Sequence, residues 1–168
     1  MKAALFITFL LASQLGHASE PAVNTPAPAA AAEQPYDEAA DAKQAVKQAL
    51  ITGRKANKPV LLVFGANWCK DCRALDKALK SDKNAKLIAK SFEVVKIDVG
   101  RFDRNLDLDT VYGNPIKKGI PAAVVLAPDQ RVLYATKAGE LADARSMSEE
   151  GIYDFFRDVV VRAEKQGS

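Results

Sequence analysis

The chain contains two cysteines, and they stand three positions apart in Trp68-Cys69-Lys70-Asp71-Cys72. Just upstream lies an unbroken apolar run, Val60-Leu61-Leu62-Val63-Phe64; downstream, Leu75, Ala78 and Leu79 recur at helical spacing. A short continuous apolar run suits a strand covered on both faces. The thiols therefore fall where a strand gives way to a helix. Paired thiols at such a junction are a redox device first and a structural staple second.

The N-terminus sets the compartment in which those thiols work. Residues 1–18 read as a secretory signal peptide, with Lys2 as the positive start and an apolar run from Ala3 to Leu15. Small residues Gly16 and Ala18 precede a cut after Ala18. The run is shorter than the ~20 residues of a spanning helix; an uncleaved anchor is the alternative. Residues 19–35 are rich in Ala and Pro and nearly free of large apolar side chains. Such a stretch cannot offset its ordering entropy and reads as a flexible tether. Residues 36–168 remain as one domain with one core. The expected location is periplasmic or secreted.

Removing the leader also removes Lys2 and His17, the sole histidine. The mature chain then holds 23 basic against 21 acidic side chains, scattered along its length. That distribution lacks the concentrated basic face of a nucleic-acid binder. Without imidazole, His-based triads, His metal ligands and His proton shuttles drop out together. A structural zinc site usually takes four Cys or His ligands, and two thiols do not supply them. A structural disulfide closing so small a loop would remove little unfolded-chain entropy. Redox exchange is the reading left.

Periodicity orders the rest. Ala42, Val46, Ala49 and Leu50 predict a helix over residues 38–54, ended by Gly53 and Pro59. Ser81-Asp82 restarts a helix carrying Leu87 and Ile88; residues 92–99 read as a strand and residues 106–112 as a short helix. Residues 122–126 and 131–135 flank Ala127-Pro128-Asp129-Gln130 as a β-hairpin. Ile152, Phe155, Phe156, Val159 and Val160 form one helical stripe, capped by Ser146 with Glu149 or by Ser148. The implied architecture is α/β, a mixed central sheet of about four strands with helices on both faces. Asp103, Asn105, Asp107 and Asp109 alternate like a calcium loop, but Leu108 and Asn114 stand where Gly and Glu are needed. A solvated loop with a helix cap is the better reading. Lys70, Arg73, Lys117 and Lys118 give at most a basic rim.

A thiol in the first turn of a helix meets unpaired N–H groups and the positive end of the dipole, which favour its thiolate. Cys69 is thus the expected nucleophile and Cys72, one turn deeper, the resolving thiol. With Gly119-Ile120-Pro121 ahead of the hairpin, the chain from Tyr36 onward resembles the thioredoxin superfamily. The resemblance implies a cis-Pro121 shaping the site and an Ile120 whose main chain pairs with an extended substrate segment, a tolerant mode of recognition. Trp68 is expected on the site rim. Lys70 would favour the thiolate and Asp71 oppose it.

Two departures stand out. Many thioredoxins carry a buried acid where this chain has Val63, leaving water or Asp71 to relay the proton. No strand precedes the first helix. The resulting expectation is a monomeric protein-disulfide oxidoreductase, reductant or mid-potential exchanger, that needs no bound cofactor beyond its Cys69–Cys72 disulfide. Its substrates would be disulfide-containing proteins and its electron donor a membrane-linked thiol partner. The rival from another class is an assembly factor holding a Cys-containing client or Cu(I) between two thiolates. An isomerase is a third possibility, though those in the family usually add a dimerisation domain that is not seen here.

Overall fold

The computed structural model describes residues 34–167. The expected signal peptide, its cleavage site, His17 and residues 19–33 of the expected tether lie outside them.

Helix α1 spans Ala42–Ala56. It starts later than its apolar spacing suggested because Asp41 caps it, its carboxylate accepting the Gln44 N–H at 3.0 Å. It also runs through Gly53 and stops at Asn57, which takes the left-handed conformation (φ 51°) and closes the end on Arg54 and Gly53 carbonyls. Gly53 is needed for another reason: a Cβ there would strike the Lys58 carbonyl oxygen.

Strand β1, Val60–Gly65, is buried along its whole length. Helix α2 (Lys70–Leu79) and helix α3 (Asp82–Ser91) carry the chain over to β2, Glu93–Asp98, which pairs parallel with β1. A short helix α4 (Leu106–Val111) and a 3-10 turn at Pro115–Lys118 lead into β3, Ala122–Leu126. β3 runs antiparallel to β1 and forms the hairpin with β4, Val132–Ala135. A second 3-10 turn, Ala144–Ser146, precedes the last helix α5, Glu149–Gly167. The strand order is β2-β1-β3-β4, the expected four-stranded mixed sheet.

Alternation along β1 divides the core. Val60, Leu62 and Phe64 join Val46 and Leu50 of α1 on one face. Leu61 and Val63 join Leu75 of α2, Ile88 of α3 and Ile152, Phe156 and Val159 of α5 on the other. Period-two side-chain direction in the strand explains both layers. At the start of α5 the hydroxyl of Ser148 accepts the Gly151 N–H at 3.0 Å, so Ser148 is the cap. Ser146 belongs instead to the preceding 3-10 turn. Among the described residues no helix is long and apolar enough to cross a membrane, and no strand precedes α1.

Candidate active site

β1 ends at Gly65, and a turn closed by the Cys69 N–H on the Ala66 carbonyl (3.1 Å) swings the chain into α2. Cys69 is the N-cap of that helix, with extended backbone. Its sulfur accepts the Cys72 N–H at 3.1 Å, so one of the helix's unpaired donors points at the sulfur. The two cysteines form a disulfide with Cα atoms 5.2 Å apart. Cys69 is 5% exposed and Cys72 fully buried behind it. Of the two sulfur-bearing residues, Cys69 is thus the one nearer the surface.

The other sequence-derived site residues fall into two groups. The Ile120–Pro121 peptide is cis, and the Ile120 carbonyl oxygen lies 3.6 Å from Cys69 Sγ. Trp68 is 46% exposed, a rim position rather than core filling. Its indole N–H donates to the Gly100 carbonyl at 2.7 Å, and its ring meets Phe102 edge-on. Lys70 is exposed in the first turn of α2. Asp71 turns away: its carboxylate accepts the Arg145 N–H at 3.1 Å and faces the Arg145 guanidinium at 3.5 Å. It ties α2 to the 3-10 turn before α5. The calcium-like carboxylates are also spent locally. Asp103 accepts the Arg101 N–H, Asp107 pairs with Lys43 at 2.6 Å, and Asp109 accepts the Ile116 N–H. Asn105 occupies the N-cap position of α4.

Three residues escaped the sequence reading. Val63 has Lys96 as its cross-strand partner, and Lys96 is ion-paired with Asp76 of α2. A buried acid therefore reaches the Val63–Lys96 level from the helix instead of from β1. Burial opposes its ionisation, but Lys80 (2.8 Å) and Lys96 outweigh burial and hold the carboxyl below its ordinary value. The available signal was an acid four residues after Cys72 on the apolar stripe of α2.

Asp98, the partner of Gly65 at the end of β2, is 5% exposed. Burial pushes its carboxyl up, against the Gly100 N–H and Arg104. Tyr36 is the third. It is 3% exposed, and burial, then Asp76 and Asp98, push its hydroxyl well above the ordinary phenol value. Its main chain is held by the Asn67 side chain, which accepts the Tyr36 N–H at 3.0 Å and donates to the Tyr36 carbonyl at 2.8 Å.

The thioredoxin-like family model matches residues 41–128, a span that includes both cysteines and Pro121. Among solved structures, a disulphide isomerase from Xylella fastidiosa Temecula1 is 64% identical. The match covers 76% of this chain and 97% of that one, with a TM-score of 0.74. A thioredoxin from Thermus thermophilus (18% identity, TM-score 0.54, 73% of this chain and 88% of that one) shares the fold. So does the oxidoreductase DsbH, at 18% identity and TM-score 0.52, over 70% of this chain and 81% of that one. No curated protein matches the chain by sequence.

Proposed function

The chain belongs to the thioredoxin-like family, and from that premise we propose a thiol:disulfide oxidoreductase acting on disulfide-containing proteins in the periplasm. The observation that carries the chemistry is Cys69 at the helix N-cap with its sulfur on the Cys72 N–H and Cys72 buried behind it. In the reduced protein the Cys69 thiolate attacks one sulfur of a substrate disulfide. The substrate S–S bond breaks, a mixed disulfide forms, and the released thiolate takes a proton from water. Cys72 then loses its proton and attacks Cys69 Sγ. The second substrate thiolate leaves, two electrons have passed to the substrate, and the protein holds its own disulfide. No cofactor enters these steps. Ile120 offers main chain to the substrate segment, with Pro121 shaping the cleft and Trp68 its rim.

The compartment follows from the leader-like residues 1–18 and from the persistence of disulfides outside the cytosol. A reductant in that setting requires a thiol electron donor, which we assign to a membrane-linked partner. The protein acts as a monomer, beginning as a domain near Tyr36. Disulfide isomerisation is the second reading, favoured by the 64% identity to the disulphide isomerase from Xylella fastidiosa Temecula1. The match covers 97% of that solved chain.

Reduction of insulin disulfides by the purified domain, with and without Cys69→Ser, tests the assignment. Turnover abolished by the substitution is expected; turnover that survives it sinks the reading. Reactivation of a protein with scrambled disulfides would favour the isomerase. Stoichiometric Cu(I) binding without turnover would favour the assembly-factor alternative. The redox potential sets direction: near about −270 mV for a reductant, near about −120 mV for an oxidant.

A further inference from the structure

Gly65 stands between two groups that no strand residue with a side chain would let approach. A Cβ on Gly65 would collide with the hydroxyl and the adjoining ring carbon of Tyr36, and it would lie 3.0 Å from Cys72 Sγ. The phenol and the buried sulfur therefore flank the same point above the Gly65 backbone. Tyr36 comes from a segment 29 residues upstream, and the two Asn67 hydrogen bonds lock that segment to the very loop that carries the cysteines. Asn67 also donates to Glu38 at 3.0 Å, fixing the next turn of the same segment.

Resting on the oxidoreductase reading, we propose that the Tyr36 hydroxyl is the hydrogen-bond donor that stabilises the Cys72 thiolate when it resolves the mixed disulfide. A fully buried thiol ionises at a desolvation cost unless a donor meets the new charge. The charged groups around this point do not meet it. Asp76 of α2 is engaged by Lys80 and Lys96, and Asp98 of β2 has Arg104 at 3.6 Å, with Glu38 and Asp103 adding negative charge nearby. Both acids repel a thiolate, so a neutral donor is what the site requires. Because its own ionisation is suppressed by burial and by these acids, Tyr36 keeps its proton and donates without acting as the base. The Cys72 proton leaves to water. The thiolate attacks Cys69 Sγ, the bond from Cys69 to the substrate sulfur breaks, and the departing thiolate is protonated by solvent.

The test follows the two-step reaction of the reduced protein with the aromatic disulfide DTNB. The first burst of coloured thiolate reports Cys69 attack, and the second reports resolution by Cys72. Tyr36→Phe removes the hydroxyl and keeps the ring over Gly65. We expect the rate of the second phase relative to the first to fall about tenfold, the loss of one hydrogen bond to a charged group. The pH midpoint of the second phase should move up. An unchanged ratio with an unchanged midpoint overturns the proposal, since packing alone does not move that midpoint. Asn67→Ala, which frees the Tyr36 segment, serves if Tyr36→Phe does not fold, and the same shift in ratio and midpoint is expected of it. DTNB needs no protein client. Absence of insulin reduction by the wild type would sink the oxidoreductase reading while leaving the phase ratio measurable.

Discussion

The side-chain amide of Asn67 binds the main chain of Tyr36 in both directions, accepting its N–H at 3.0 Å and donating to its carbonyl at 2.8 Å. It replaces a strand-like pairing with a single side chain and makes residues before α1 part of the cysteine loop.

Asn67→Ala should therefore lower stability by about 1–3 kcal/mol, two net hydrogen bonds with their groups partly buried. Urea unfolding checks this. A loss below a few tenths of a kcal/mol would mean that water replaces both bonds and that the clamp is incidental.

Gly65→Ala should be destabilising by about 1–3 kcal/mol, as overpacking of a tight core position generally is, because the new Cβ meets the Tyr36 phenol. Combining it with Tyr36→Phe relieves the clash with the hydroxyl and should recover part of the loss. Additive effects in the double-mutant cycle would show that the two positions do not meet.

Cys72→Ser should trap the protein on its substrate, since the mixed disulfide at Cys69 then lacks its intramolecular exit. Non-reducing gels of a reaction with a disulfide client should show a covalent adduct that Cys69→Ser does not form. An adduct formed equally through Cys69→Ser would reverse the assigned roles.

Asp76 gives a pH signature. Burial raises its carboxyl, Lys80 and Lys96 lower it further, and the net position in the folded state is below the ordinary 3.8. A depressed folded value stabilises above the unfolded value, and that contribution disappears as pH falls through the folded one. Asp76→Asn should thus cost about 1–3 kcal/mol at neutral pH, with both lysines partly screened by solvent. The gap to wild type should close below pH 3.8. Asp98, raised by burial, carries the opposite sign: its ionised form costs stability above its folded value, and Asp98→Asn should be neutral or stabilising at pH 7. Unfolding free energies measured across acid pH check both signs; a gap for Asp76→Asn that is flat with pH would refute the linkage.

What the residues disclosed in advance was local. The apolar run of β1 passing into Cys69 at a helix start, the hairpin around Pro128 and the stripe of α5 each follow from a pattern within a dozen residues. The helix limits moved where a side chain intervened: Asp41 claimed the start of α1 and Asn57 its end. Asp71 looked like a neighbour of the thiols, yet its partner Arg145 is 74 residues away. Tyr36 was illegible for the same reason, and Asp76 showed only as an acid on the apolar stripe of α2, its link to β2 unseen. One reaches the site through an amide clamp and the other through a lysine on β2, and neither partnership leaves a trace in local spacing.

For the oxidoreductase proposed above, the recessed position of Cys69 bears on which disulfides it would meet. Cys72 lies behind its sulfur, the Ile120 carbonyl lies on one side of it, and Trp68 stands at the rim. A loosely held strand or an unfolded loop enters such a notch more readily than a convex protein surface. We therefore expect the proposed oxidoreductase to engage clients whose cysteines lie on exposed, loosely held segments ahead of well-folded ones.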